Sequence, residues 1–463
     1  MLAARSFSLF LGKYPLIIQS VKNLTCQFHS TVHQSQAHSD VIGTDYVVRS
    51  PLPDIPPLKQ EDDIYHMISR NFSKFGSKIA LIEGISGREY SYNEIDESSS
   101  KFSSGLQRLG FTKGDVLGIV APNSPEYAVV YLGALATGGV VSTCNPTYTA
   151  DELAYQFKNS GTKMIVTVPA ILPTVQEAAA RANVERIVVI DTSQPQTTSS
   201  GNTVSYHSLV TDSGSLFNPV HTGLDDVMVL PYSSGTTGLP KGVMLTNRSV
   251  GSNLLQLTGP ELFTLQDPGT CLIGLLPFFH IYGMVVVLFS SLLAGSKTVV
   301  LPQFVPETFL SSIEKYRVNI AHVVPPLVIF FGKHPIVSNY DMSSIQEVMT
   351  GAAPLGGDVV KAASDRIGCQ LFRQLYGLTE VSPVSHTTPK SLGMRCPDSV
   401  GHCVRSVKAK IVDIESGEVL PPNKEGEIWL NGPNLMKGYL NNPEATRESI
   451  TEDRWFKTGD IGE

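Results

Sequence analysis

Tyr232-Ser233-Ser234-Gly235-Thr236-Thr237-Gly238-Leu239-Pro240-Lys241-Gly242-Val243 follows the apolar run Val227 to Leu230. Hydroxyls and glycines at this density, with one lysine and a proline, suit a loop that wraps a polyphosphate. Glycines let the backbone come close, N–H groups point inward, and Lys241 neutralises charge. An ordinary Gly/Ser turn after a strand accounts for a lone Gly-x-x-Gly. It does not account for eleven constrained positions from Ser233 to Val243.

The chain around this loop has 463 residues, 42% hydrophobic and 17% charged, which allows a substantial core and two or three domains. With a net charge of −7 and no clustered Lys and Arg, it lacks the electrostatic footprint of a nucleic-acid binder. The six cysteines, Cys26, Cys144, Cys271, Cys369, Cys396 and Cys403, are scattered, the closest pair being C-x6-C. Neither a zinc site nor a disulfide framework is expected, and a reducing compartment fits. Met1 to Ser39 contains no Asp or Glu, while Arg5, Lys13 and Lys22 alternate with Phe7, Leu9, Phe10, Leu16, Ile17 and Ile18. This composition predicts a mitochondrial presequence over 1–39. A secretory signal fits less well, because charges interrupt the apolar run; a disordered tail, with peroxisomal or cytoplasmic residence, is the alternative. Asp40 to Asp63, with Pro51, Pro53, Pro56 and Pro57, reads as an extended lead-in.

From Ile64 onward helical and strand-like segments alternate. Ile64 to Phe75 and Asn93 to Leu109 are helical; strands are expected at Ile79 to Ile82, Val116 to Val120, Met164 to Val168, Arg186 to Ile190, Thr270 to Leu275, Lys297 to Leu301, Ile320 to Val324 and Gln346 to Thr350. The expected fold class is α/β, with doubly wound sheets over 40–397. The run Gly283 to Ala294 is too short and serine-interrupted to span a bilayer. After Asp398 the texture changes to short strands, Lys408 to Asp413 and Glu425 to Leu430, so 398–463 is expected to form a small β-barrel or sheet. Thr192 to Ser200 reads as a polar surface loop.

The loop is not the phosphate loop of kinases and motor ATPases, since no Gly-Lys-Ser/Thr closes it and Pro240 directly precedes Lys241. Ser233 to Thr246 instead closely resembles the phosphate loop of adenylate-forming enzymes, in detail that of 4-coumarate–CoA ligases and their insect luciferase-like relatives. The resemblance extends from Ile64 to Glu463 through five motifs in the family's order. In Pro277-Phe278-Phe279-His280-Ile281-Tyr282-Gly283, a histidine among aromatics is ordinarily a core residue. The resemblance implies that His280, Tyr282 and Gly283 line the acyl pocket. Amino-acid-activating relatives carry an Asp where His280 stands, so a carboxylic acid without an α-amine, fatty or aryl, is implied.

Thr350-Gly351-Ala352-Ala353-Pro354-Leu355-Gly356 follows a predicted strand, and its small residues leave room for a flat ring against backbone. By resemblance Gly351, Ala352 and Ala353 border both the adenine and the acyl pocket; a plain strand-to-helix turn is the other reading. Gln374-Leu375-Tyr376-Gly377-Leu378-Thr379-Glu380 supplies an aromatic face, a hydroxyl and a carboxylate. The resemblance places Tyr376 at the adenine, Thr379 at the α-phosphate and Glu380 at magnesium, with Gln374, Leu375 and Gly377 among the ATP- or AMP-binding residues. Leu375 departs from the family's usual glycine. In the fifth motif, Trp455 to Gly462, a carboxylate accepts bonds from a ribose diol, and Asp460 matches that position.

The resemblance therefore implies ATP, Mg2+ and coenzyme A as cofactor and co-substrates. Ser233, Ser234, Gly235, Thr236, Thr237, Gly238 and Lys241 would hold phosphates, while Lys241, His280, Thr379 and Glu380 carry the chemistry. The acid attacks the α-phosphorus, pyrophosphate leaves, and coenzyme A takes the acyl group. The family continues into a lid of roughly a hundred residues, about one small domain, and the sequence stops at Glu463. A shortened product or fragment of an acid–CoA ligase is expected. A weak adenylate-binding regulator and a luciferase-like oxygenation of the adenylate are the alternatives. Gln303 stands where plant members carry a coenzyme A-contacting Lys.

Overall fold

A computed structural model describes residues 44–192, 201–233, 239–259, 261–262 and 269–463. The expected presequence and most of the expected 192–200 surface loop lie outside the described residues. So does the centre of the phosphate loop, Ser234 to Gly238.

Two nine-stranded sheets form the body. The first runs Tyr232–Ser233, Lys241–Thr246, Val227–Val229, Val140–Cys144, Val116–Val120, Thr162–Thr167, Arg186–Val189, Thr203–Ser205, with Gly438–Tyr439 added against Lys241–Thr246. Pairing is parallel from Val227–Val229 onward and antiparallel around Lys241–Thr246. The second runs His402–Cys403, Val384–Thr387, Phe372–Gly377, Glu347–Thr350, Ile320–Val323, Cys271–Gly274, Lys297–Val300, Ile79–Glu83, Glu89–Ser91. Its centre is parallel and its edges antiparallel. The α/β expectation holds, and the doubly wound pattern resolves into two mixed sheets.

Helix Pro125–Ala136 is buried at every position, as a helix apolar on all sides must be when layers enclose it. Ser124 caps it, accepting from the Tyr127 N–H, with Pro125 in the first turn where no N–H is needed. Capping boxes open the helices Tyr92–Arg108, at Ser91 and Glu94, and Ala150–Ser160, at Thr149 and Glu152. The apolar run after His280 is a fully buried π-helix, Tyr282–Phe289, continued by Ser290–Ala294. No helix among the described residues is long and apolar enough to cross a membrane. Tyr131 meets the π-helix edge-on at Phe289, with ring centroids 5.0 Å apart. One apolar core joins both sheets through these helices, and a smaller one lies under Ala150–Ser160 and Leu172–Ala182.

The expected helix Ile64 to Phe75 is in fact two, Ile64–Ser69 and Phe72–Phe75. At the break the Asn71 side-chain amide donates to the Met67 carbonyl at 3.3 Å, a local bond that competes with helix continuation. The β-rich end is an open, four-stranded antiparallel sheet with strands Val48–Arg49, Lys408–Val412, Gly426–Asn431 and Phe456–Gly462. Its first strand comes from the lead-in: Val48 pairs with Ala409 and Arg49 with Lys408. Arg405 donates to the Pro53 and Asp54 carbonyls, holding the lead-in along this sheet.

Candidate active site

The phosphate loop is the connection of a hairpin. Tyr232 pairs with Gly242 and Ser233 with Lys241, so both ends of the loop are held at one strand spacing. Ser233 Oγ donates to Glu380 Oε1 at 2.9 Å, across a separation of 147 residues. Tyr439 OH donates to the same oxygen at 3.0 Å. The Lys241 ammonium lies over the Tyr439 ring, 5.0 Å from its centroid. Tyr439 thus bridges the loop lysine and the motif carboxylate. It stands beside them because Gly438–Tyr439 pairs antiparallel with Lys241–Thr246, Val243 opposite Tyr439. Burial, then the Glu380 charge, pushes the Tyr439 phenol well above its ordinary range, so it stays a donor.

Glu380 itself is 7% exposed, within the 3-10 turn Thr379–Val381, with Thr379 half-buried at its start. The Met436 N–H fixes the Glu380 carbonyl at 2.8 Å. Both side-chain hydrogen bonds converge on Oε1; among the described residues Oε2 accepts none. A single hard carboxylate oxygen beside a phosphate loop suits magnesium, which keeps water and takes the rest of its shell from phosphates.

Ahead of Glu380 on the same chain segment, Tyr376 OH donates to Asp460 Oδ2 at 2.9 Å, joining the fourth and fifth motifs. Asp460 lies exposed on strand Phe456–Gly462. Burial and then the Asp460 charge raise the Tyr376 phenol well above its usual range. The ring of His386 packs against Tyr376, centroids 5.7 Å apart. Gly377 accommodates the Pro383 carbonyl, which a Cβ there would strike. The Gln374 side chain is buried, donating to the Leu355 carbonyl at 2.8 Å and the Pro397 carbonyl at 2.6 Å. It ties the turn after Thr350 to the strand, and what it offers a nucleotide is backbone. In that turn Ala352 is exposed and held at φ 70°, a left-handed conformation an alanine rarely adopts.

The second motif lies under the sheet ends. The Tyr282 N–H donates to His280 Nδ1 at 3.3 Å, which leaves the proton of a neutral imidazole on Nε2. Burial lowers His280 to about 4, so it is neutral at pH 7. Tyr282 OH reaches His322 Nδ1 at 3.4 Å and the Met349 carbonyl at 3.5 Å. Burial, then the Arg373 charge, lowers His322 to about 3. Gly283 packs on backbone: a Cβ there would collide with the carbonyls of Leu276 and Pro277. Gly351 faces Leu375 and Tyr282.

Three contributors carry no motif signal: Tyr439, His322 and Arg373. The Arg373 guanidinium is fully buried, pairs with Glu347, and donates to the Leu262 and Thr388 carbonyls, anchoring the strand that carries Leu375 and Tyr376 and leads to the turn of Glu380. An arginine inside a strand, paired with a glutamate at the start of its neighbour, is a faint sequence hint of such an ion pair. Nothing comparable marks Tyr439.

Comparison with known proteins agrees with this geometry. Residues 68–440 match the family model described as AMP-binding enzyme. The chain is 37% identical over 424 residues to a 4-coumarate–CoA ligase of Pinus taeda, covering 90% of this chain and 77% of that protein. Among solved structures it is similar to a red-emitting luciferase from Phrixothrix hirtus, with TM-score 0.77 and 26% identity over 90% of this chain and 76% of that one. It is equally similar to a long-chain-fatty-acid–CoA ligase from Archaeoglobus fulgidus, TM-score 0.77 and 26% identity over 89% of this chain and 84% of that one. With the phosphate-loop lysine and the motif carboxylate both in contact with Tyr439, a joined Tyr376–Asp460 couple and a family match across most of its length, the chain belongs to the AMP-binding, adenylate-forming enzymes.

Proposed function

We propose that this protein is an ATP-dependent acid–CoA ligase that activates a fatty or aryl carboxylic acid as its acyl-adenylate and then thioesterifies coenzyme A. The observation that carries the reading is the bridge through Tyr439, which brings Lys241 and Glu380 to the two ends of one phosphate loop.

The acid's carboxylate oxygen attacks the α-phosphorus of ATP, the α–β bridging bond breaks, and pyrophosphate leaves. Coenzyme A thiolate then attacks the acyl carbonyl and AMP departs. Lys241, at the exit of the loop, offsets charge on the leaving pyrophosphate. Thr379 offers its hydroxyl to the α-phosphate. Glu380, its Oε1 held by Ser233 and Tyr439, is the residue that would hold magnesium, which when bound would neutralise phosphate charge. Asp460 takes the ribose hydroxyls, its other oxygen already steadied by Tyr376. The buried, neutral His280 suits an acyl group lacking an ammonium. Catalysis is then positioning and charge neutralisation, with no covalent enzyme intermediate.

The test is hydroxylamine trapping. With ATP, Mg2+ and a panel of fatty and aryl acids, the chain is expected to give hydroxamate that depends on both ATP and acid. Clear ATP binding with no hydroxamate from any acid would make it an adenylate-binding protein and remove the ligase reading.

A further inference from the structure

At the end of the lead-in, Asp63 meets two histidines that the adenylating site does not use. Its side chain is 2% exposed, and among the described residues no Lys or Arg pairs with it. Two imidazoles face it instead. His66 Nδ1 lies 2.8 Å from both Oδ1 and Oδ2, and His221 Nδ1 lies 3.2 Å from Oδ2, across 158 residues of chain. The two rings stack, with centroids 3.6 Å apart and planes 17° from parallel. One ligand atom from each of the three side chains lies within 4.8 Å of the other two.

A buried carboxylate needs a compensating charge. The backbone N–H groups of His66, at 3.0 Å, and Thr222, at 3.3 Å, supply part of it and fix the orientation of the group. Each oxygen keeps a second lone pair for a further partner. A divalent cation shared with the two imidazoles would supply the rest. Ligand atoms of one tetrahedral ion stand about 3.3 Å from each other. The spacings here, 2.8 Å, 3.2 Å and at most 4.8 Å, bracket that value. Two imidazoles and one carboxylate suit a borderline ion such as Zn2+ better than Mg2+ or Ca2+, which take oxygen ligands.

The backbone around these side chains is held without help from the imidazoles. The Asn247 side chain accepts from the Ile64 N–H at 3.1 Å and donates to Thr222 Oγ1 at 2.9 Å and the Gly223 carbonyl at 3.0 Å. The Lys113 ammonium reaches the His221 carbonyl and Asp226. The His221 side chain is 60% exposed, so an ion has an approach from solvent and water can complete its shell.

We propose that Asp63, His66 and His221 bind one divalent ion of the zinc class, through the carboxylate and Nδ1 of both imidazoles, each ring then carrying its proton on Nε2. The ion would clip the end of the lead-in to the segment ahead of strand Val227–Val229. This site is independent of the acid-adenylating reading above.

The test titrates Zn2+, and Co2+ as a coloured stand-in, into the metal-free full chain near neutral pH. The wild type is expected to take up one more Zn2+ than a His66→Gln/His221→Gln double variant, to melt at a higher temperature with Zn2+, and to respond little to Mg2+. Co2+ should give the visible absorption of a tetrahedral site. His221→Gln alone, at an exposed position, is expected to keep the metal-free melting temperature while weakening Zn2+ binding at least about tenfold. Equal Zn2+ uptake and an equal melting shift in the wild type and the histidine variants would mean an adventitious ion only, bound elsewhere, and would overturn the proposal. So would a wild type whose melting does not respond to Zn2+.

Discussion

The two halves of the site are held in place by different physics. At the phosphate end, Ser233, Lys241, Glu380 and Tyr439 come from three separate stretches and are joined by directional polar contacts converging on one carboxylate oxygen and one ring. Around Gly351, Tyr282 and Leu375 are joined by volume, packed against the position a Cβ would fill. A group aimed by hydrogen bonds is sensitive to the loss of a single atom, because a charged acceptor is left with fewer donors. A region shaped by packing is sensitive to size and largely indifferent to polarity. The two regions are therefore separable by mutation.

Three substitutions would break or sharpen that contrast. The largest effect is expected from Lys241→Ala, which removes the cation at the loop exit: adenylation measured by pyrophosphate exchange should fall by about 100-fold or more. Acid-analogue binding should hardly change, and unchanged exchange would show that Lys241 does not face the leaving group. Tyr439→Phe is next. It deletes one donor to the Glu380 carboxylate while keeping the ring under Lys241, and a hydrogen bond to a charged group is worth about 1.5–3 kcal/mol. The Mg2+ concentration needed for half-maximal ATP binding should move, with the response to pyrophosphate unaltered. A variant that altered acyl preference and left the Mg2+ midpoint unmoved would contradict the separation. The smallest effect is expected from Ala352→Gly. It relieves a left-handed alanine at φ 70°, worth about 1 kcal/mol, against about 0.4–1 kcal/mol of added unfolded-state entropy. Thermal melting should show a gain below about 1 kcal/mol, and a clear loss of stability would mean that the turn does not strain Ala352.

Much of the fold is readable where apolar runs are uninterrupted. Val116 to Val120 is a strand with those bounds, and Ile320 to Val324 differs by one residue at its end. Val140–Cys144 escapes such a reading because Ser142 and Thr143 break the apolar run, although both are buried in the first sheet. Phe372–Gly377 escapes it because its motif reads as a binding turn, whereas the residues form a paired strand whose last positions reach the site. Ile64 to Phe75 reads as one helix because its apolar spacing continues across Asn71, and only the side-chain bond to Met67 interrupts it.

By itself the sequence determined the kinds of chemistry available: a glycine- and hydroxyl-rich loop with one lysine, a motif carrying Tyr376 and Thr379 and ending in Glu380, a histidine set in aromatics, and an α/β alternation to carry them. Those signals are local, carried by residues a few positions apart. Only the tertiary structure decided that Tyr439 lies between Lys241 and Glu380, that Tyr376 holds Asp460 across 84 residues, that the lead-in forms an edge strand beside Lys408, and that Leu375 and Tyr282 pack against Gly351. Such contacts depend on strand register and sheet order, which join residues far apart in the chain and leave no periodic trace in it.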